Sequence, residues 1–409
     1  MDYQEPVVSQ HGQTYFRAQK GTGERMNTIS PFCDAAVEKD RTAFTKLMAH
    51  IREQDERDCT VIAMQMENEI GLLGTDRDYC GVAQERFAQE IPDELSEIYQ
   101  VGGTWAEAFG EDAGEYFMAY SFAAALERIA FGGQQAHSLP CYTNAWLRQH
   151  PWYAGSYPSG GPVKEVHRIW KSVALSLFAL APDIYVPYTA LVIEAYSYPG
   201  NPLFIPEVRK DAATASYCLY AFLKCHALCY SPFGIEDLGL QPEEVEKPSV
   251  EVMAGLNINP AVFETEGGRK YLGNVYKFLQ NIEPLYLKYR GTNQMQCYVK
   301  HLETESGAYF RFREYQLVID YMPTVTAKPV AAGVIFELSQ DCFLIAGMMS
   351  RMTFLSKMSG NHKVGILKLQ EGSIVSGEWI PARTLNGDEQ MMLGFGDNLS
   401  CLYVELYRY

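Results

Sequence analysis

The run VIAMQMENEIG, residues 61–71, constrains this chain more than any other stretch. Val61 to Met66 holds one polar side chain, Gln65, and reads as a strand buried on both faces. Such a strand belongs at the centre of an α/β fold, with Glu67, Asn68 and Glu69 at its C-terminal end. In an α/β barrel that end is where reactive side chains project. The run PLFIPEV, residues 202–208, repeats the plan and closes on Glu207. Strand alternation puts Glu67 and Glu69 on one side, so they cannot face each other across a ligand. Glu69 therefore pairs with Glu207, and Glu67 takes a supporting role. A lone strand-end glutamate serves equally well in a salt bridge or beside a helix end. Two such ends, one of them next to Asn68, weigh against that plainer reading.

The rest of the chain supplies the frame for such strands. AAVEKDRTAFTKLMAHIR (36–53) carries Phe44, Leu47, Met48 and Ile51 on one helical stripe. A longer helix near 112–131 is apolar almost all round and is expected to be buried. LPCYTNAWL (139–147) reads as a strand with Asn144 and Trp146 near its end. A Gly/Pro-rich loop from Tyr153 to Pro162 precedes a predicted helix, VKEVHRIWKSVALSLF. Then come a strand, APDIYVPY (181–188), the 202–208 strand, a helix TASYCLYAFLK, and ALCYSPFGIED (227–237). Five strands alternating with helices predict a parallel βαβ array. NVYKFLQNIEPLYLKY then reads as a helix that closes the barrel. After residue 290 the pattern becomes alternating: QCYVKHL, YQLVIDY, AAGVIFEL, DCFLIAGMM and SCLYVELYRY, separated by Gly, Asn and Asp turns. That half is predicted to be an antiparallel β-sandwich.

Composition narrows the partners. A net charge of −16 argues against nucleic acid and anionic membranes, because the surplus of Lys and Arg that neutralises phosphates is missing. No stretch reaches the ~18 apolar residues of a membrane span, and the first 25 residues lack the basic-then-apolar order of a signal peptide. Ten cysteines over 409 residues do not make a disulfide framework, so a reducing, cytoplasmic setting is expected. The closest cluster is Cys225, His226 and Cys229, with Cys218 one heptad earlier. Its flank, LKCHALCYS, looks like a helix end running into a strand, and no metal site is assigned. No cofactor is expected either.

Paired carboxylates on separate strand ends suit cleavage of a glycosidic bond. One carboxylic acid protonates the leaving oxygen while the other, as carboxylate, attacks the sugar. Several segments also resemble glycoside hydrolase family 35, the β-galactosidases, in the subgroup with an appended C-terminal β-domain. They are ISPFCDAAVEKDRTAF, TVIAMQMENEIGLLGTDRDYC, LPCYTNAWL, APDIYVP, NPLFIPEVR, SPFGIED, GEWIPARTLNGDE and the final LYRY. The resemblance implies a partial (β/α)8 TIM barrel over 1–290, comprising strands four to eight, and a β-sandwich domain over 291–409. It makes Glu69 the acid/base on the fourth strand and Glu207 the nucleophile on the seventh. Two predicted strands, 139–147 and 181–188, intervene between them, in agreement. Asn68 would bind the sugar 2-hydroxyl, and Asn144, Trp146 and Tyr185 would line the pocket.

The function so implied is a retaining glycosidase removing terminal β-D-galactose from oligosaccharides or glycans. In a retaining pair the carboxyls stand about 5–5.5 Å apart. Glu69 would be protonated near neutral pH, raised by burial and by the charge of Glu207. Two alternatives stand beside it: a glycosidase of the same mechanism for another β-glycoside, or an inactive carbohydrate-binding remnant. The family's first three βα units have no counterpart before residue 10, so an N-terminally truncated barrel with an open edge is expected. Such an edge recruits partners, so a poorly soluble chain or a homo-oligomer is expected.

Overall fold

The computed structural model describes residues 7–8, 14–241, 243–357 and 363–409. Residues 1–6 and 9–13, part of the stretch read above for a leader, lie outside them. Two short antiparallel hairpins come first: β1 (Val7–Val8) with β2 (Thr14–Tyr15), and β3 (Arg17–Gln19) with β4 (Arg25–Ile29). Next come α1 (Asp34–Asp55), β5 (Met64–Gln65), α2 (Gly81–Phe87), α3 (Asp93–Tyr99), α4 (Trp105–Phe109) and α5 (Ala113–Ala136). They are followed by β6 (Cys141–Trp146), α6 (His167–Val173), β7 (Leu177–Ile184), α7 (Thr189–Tyr196), β8 (Phe204–Val208), α8 (Thr214–Leu223) and β9 (Cys229–Pro232).

Strands β5 to β9 form one sheet in chain order, in which β5 pairs parallel to β6 and β6 parallel to β7. A helix separates each strand from the next. Helices α9 (Val250–Gly255) and α10 (Gly268–Tyr289) lead into strands that pair antiparallel. A parallel sheet with helices followed by antiparallel sheets fits part of a TIM barrel with an appended β-domain. Among the described residues no helix is long and apolar enough to cross a membrane.

Two sequence expectations are corrected. The 61–66 run is not a doubly buried strand: only Met64 and Gln65 are paired, and Ile62 is 74% exposed. The reason lies just upstream, where the Asp55 carboxylate accepts from the backbone N–H of Thr60 (3.1 Å) and Val61 (2.7 Å). Those N–H groups are therefore turned back onto the end of α1 and not into a ladder. The helix expected over 163–178 stops at Val173, and its last residues open β7 from Leu177.

The chain divides into two compact units, Met1–Asp183 with Tyr198–Phe204, and Ile184–Ser197 with Ile205–Tyr409. In the first, α5 is the core element, burying Met118, Leu126 and Ile129 among others. Its Gly133 lets α1 approach closely, since a Cβ there would lie 2.2 Å from Phe44. In the second unit, a six-stranded and a four-stranded sheet share one core. The larger sheet contains β10 (Met295–Val299), β13 (Ala332–Glu337), β14 (Cys342–Met348), β16 (Val364–Val375), β17 (Glu378–Thr384) and β19 (Ser400–Arg408), ordered β10-β13-β14-β19-β16-β17. The smaller contains β11 (Gly307–Arg311), β12 (Tyr315–Tyr321), β15 (Ser350–Ser356) and β18 (Leu393–Phe395), ordered β11-β12-β15-β18. Ile335, Phe343, Ile345 and Val404 of the first pack with Tyr315, Leu317, Phe354 and Phe395 of the second. This is the predicted sandwich.

Candidate active site

In the first unit the chain leaves β5 through a sharp bend. Glu67 and Glu69 both have left-handed backbones, with φ of 57° and 45°. They therefore do not alternate along a strand as expected. Each such residue costs about 1–2 kcal/mol, so something must hold the bend. Asn144 does this. Wholly buried on β6, it accepts through Oδ1 from the Glu69 N–H (2.9 Å). Its Nδ2 donates to Asn68 Oδ1 (3.1 Å) and to the buried Asp183 Oδ2 (2.7 Å) at the end of β7. Thr143 Oγ1 donates to the Met66 carbonyl (2.9 Å), and Gln65 Nε2 donates to Asn68 Oδ1 (3.2 Å). Asn68 Oδ1 is thus taken by two donors, which turns its NH2 into the end that can serve a ligand hydroxyl. Backbone strain held by a buried network is characteristic of functional sites. The exposed residue Glu67 has its carboxyl raised, first by local burial of that group and second by the charge of Asp40.

The segment after Glu69 is fixed by the Gly/Pro-rich loop. Leu72 and Ser159 exchange backbone hydrogen bonds (3.1 and 2.9 Å), and Gly74 N–H donates to the Gly155 carbonyl (2.7 Å). Gly155, at φ 92°, is required here, because a Cβ would meet Thr75 backbone at 2.6 Å. Tyr157 anchors the loop from beneath, donating to Glu115 Oε2 (2.9 Å) on α5. Burial pushes the Glu115 carboxyl up to about 7, a rise only partly offset by the Tyr157 hydrogen bond. Nearby, buried His167 is pushed down to about 3, mainly by burial and then by Lys164.

In the second unit, Glu207 lies half-buried on β8, and the Tyr185 hydroxyl donates to its Oε2 (2.9 Å). The Tyr185 ring is in turn held by Phe263, 5.3 Å away between centroids, and Phe233 at 6.3 Å. Arg209 grips Asp211 through two contacts, at 2.6 and 2.7 Å, and Lys210 pairs with Asp237. These pairs confine the turn that follows the strand.

The structure therefore brings together Asn68, Glu69 and Asn144 in one unit, and Tyr185 with Glu207 in the other. Trp146 is half-buried and packs against the core of the first unit. Asp183 was not singled out from sequence. Its signal was a carboxylate inside an otherwise apolar strand end, APDIY. Among the described residues no group of three or more His, Cys, Asp or Glu is placed to hold a metal ion. All ten cysteines are free thiols.

Residues 272–395 match the model of a domain of unknown function (DUF5597). No curated protein matches the chain. Solved structures similar to it include endo-glycoceramidase II from Rhodococcus sp., alone in name and as its cellobiose-like imidazole and five-membered iminocyclitol complexes. Each has a TM-score of 0.28 and 11% identity, over 90% of this chain and 64% of the other. The chain thus spans less than two thirds of the length of those structures.

Proposed function

We propose that this chain is a retaining glycoside hydrolase acting on terminal β-D-galactose, with Glu69 as acid/base and Glu207 as nucleophile. The observation that carries the reading is the buried Asn144, which holds the Glu69 backbone and the Asn68 side chain through one amide. A strained, pinned Asn–Glu pair is what a proton donor beside a sugar hydroxyl needs, since both groups must be aimed before substrate arrives. In this mechanism Glu207 attacks the anomeric carbon as Glu69 gives its proton to the leaving oxygen. Water, deprotonated by Glu69, then releases the sugar. Asn68 would donate its NH2 to the 2-hydroxyl. The Tyr185 hydrogen bond supports Glu207 by fixing one carboxylate oxygen, and the β-strands would correspond to strands four to eight of a TIM barrel.

Turnover of 4-nitrophenyl β-D-galactoside, compared with the β-glucoside, β-mannoside and β-xyloside, tests both chemistry and sugar. The galactoside is expected to be cleaved fastest, and Glu207→Gly to abolish cleavage, with azide restoring it as an α-galactosyl azide. Glu69→Gln is expected to slow substrates with poor leaving groups by roughly 10²–10⁴-fold while sparing good ones. Preference for another glycoside would replace the sugar assignment. Absence of turnover with all four would overturn the hydrolase reading.

A further inference from the structure

The start of α10 carries a polar arrangement that the proposed chemistry does not use. Arg269, Gly273 and Lys277 follow at four-residue steps and lie in one row on the helix, with Lys270 and Asn274 in the next. With Leu238, Leu240 and Thr265 they line a groove of about 500 Å³ in the second unit. A Cβ on Gly273 would meet nothing within 4 Å, so no neighbour in the fold requires a glycine there. A glycine inside a helix nonetheless costs about 1 kcal/mol. Its effect here is to keep the groove open between Arg269 and Lys277.

The charges of this groove are set the wrong way for a helix standing alone. A helix start carries partial positive charge and favours anions, yet Arg269 and Lys270 occupy the first turn of this 22-residue helix. Among the described residues, neither they nor Lys277 stand in an ion pair; Lys270 has the adjacent Tyr271 ring, 5.1 Å from its ammonium. Glu266 is the one carboxylate in the lining, and Glu236, Glu243 and Glu246 lie outside it. The other acidic groups nearby are taken. Glu244 accepts from the Gln241 N–H (3.0 Å), Glu264 pairs with Lys247 (3.0 Å), Asp237 pairs with Lys210, and Asp397 serves Tyr271 (3.0 Å) and Lys328 (3.4 Å). The backbone N–H groups of Arg269 and Lys270 find no carbonyl, as is usual in a first turn. Thr265, 9% exposed, has a hydroxyl without a hydrogen-bond partner among the described residues. A buried polar group left unmatched is destabilising, and a ligand oxygen would relieve it.

Three cations, two free N–H groups and a buried hydroxyl call for several oxygens bearing negative charge. A carboxylate offers two, whereas a phosphate monoester offers three and nearly two charges. Arg269 and Lys277 are eight residues apart, about 12 Å along the axis, which leaves room for a sugar beside the phosphate. We propose that this groove binds a hexose phosphate, with the phosphate at Thr265, Arg269 and Lys270 and the sugar hydroxyls lying over Gly273 toward Asn274 and Lys277. The site is independent of the hydrolase reading. It is tested by calorimetric titration of the full chain with glucose 6-phosphate and galactose 6-phosphate, beside glucose, glucuronate and inorganic phosphate. At least one hexose phosphate is expected to bind saturably, and the three comparison compounds at least about tenfold more weakly. Gly273→Glu, which sets a carboxylate where there is room for it, should abolish that binding, and Arg269→Ala should weaken it at least about tenfold. Circular dichroism melting should confirm that both variants remain folded, and Asn274→Ala supplies a milder change should either unfold. No saturable heat with either hexose phosphate, equal binding of any comparison compound, or binding untouched by the folded variants would each overturn the proposal.

Discussion

The two cores of this molecule are built on different principles. In the sandwich the core is mostly apolar or aromatic, with Phe343 packed edge-on to Phe312 and Tyr315 and tilted against Phe354, and few polar side chains, such as Ser350 and Glu337, are buried on its strands. The first unit instead buries Asp78, Glu115, Asn144, His167 and Asp183 among its apolar residues. Desolvating such groups is costly unless each finds partners, and here they do: Asp78 accepts from Ser30 and from two backbone N–H groups, and Asn144 serves three neighbours. One region needs only to exclude water. The other must aim side chains, and it accepts buried polarity and left-handed glutamates to do so.

The largest effect expected from this contrast is in the sandwich. Phe343→Ala should cost about 3–5 kcal/mol, because Phe343 is fully buried and rigidly surrounded. In denaturant unfolding followed by hydrogen exchange, only amides of the second unit should lose protection. Equal loss in the first unit would show that the two unfold as one, and the comparison would collapse.

The next prediction concerns pH and belongs to the first unit. Glu115 titrates at about 7 when folded against an ordinary 4.5. The folded state therefore holds the extra proton, and its stability is full below pH 4.5 and falls as pH rises toward about 7. His167, lowered from 6.5 to about 3, acts in the opposite sense: its contribution is full above pH 6.5 and is lost as pH falls toward 3. Each slope is about 1.4 kcal/mol per pH unit, so between pH 4.5 and 6.5 they offset each other. Glu115→Gln keeps an acceptor for Tyr157 and removes one slope. Protection in the first unit should then rise with pH across that window, by about 1.4 kcal/mol per unit. A flat profile in the variant would mean that His167 is not held neutral by burial.

The smallest effect is expected on the surface of the sandwich. Arg383 reaches Glu371 and Glu389, both at 2.7 Å, yet all three side chains are well exposed. Solvent and salt screen such pairs, so Arg383→Ala should change stability by less than about 1 kcal/mol. A larger loss on thermal melting would show that this network, and not only the aromatic core, holds β16 to β17.

What could be read from sequence follows the same division. Alternation located β12 and β19 because each has one face in the core and one outside it, whereas β10, β13 and β14 are buried almost throughout and stood out as apolar runs. β16 escaped notice: a bulge between Ile366 and Lys368 shifts its alternation, and two glycines interrupt it. In the first unit, Asn144 and Glu69 stood out by position, but their relation did not. A side-chain amide gripping a backbone N–H 75 residues away leaves no periodic trace. The 61–66 run misled for a related reason, since the acceptor that diverts its N–H groups, Asp55, belongs to the preceding helix.

One remaining feature bears on how copies of this chain meet. The larger sheet ends, in its spatial order, with β17, whose pairing with β16 leaves a second edge. That edge strand contains Pro381, set opposite the irregular step at Gly372, and is flanked by Glu378 and Arg383. Proline has no N–H to offer a neighbouring strand, and charged side chains repel a flat, apolar one. The sheet thus carries its own stop signal: a misfolded copy looking for a template to extend meets a gap in the hydrogen-bond ladder on this side.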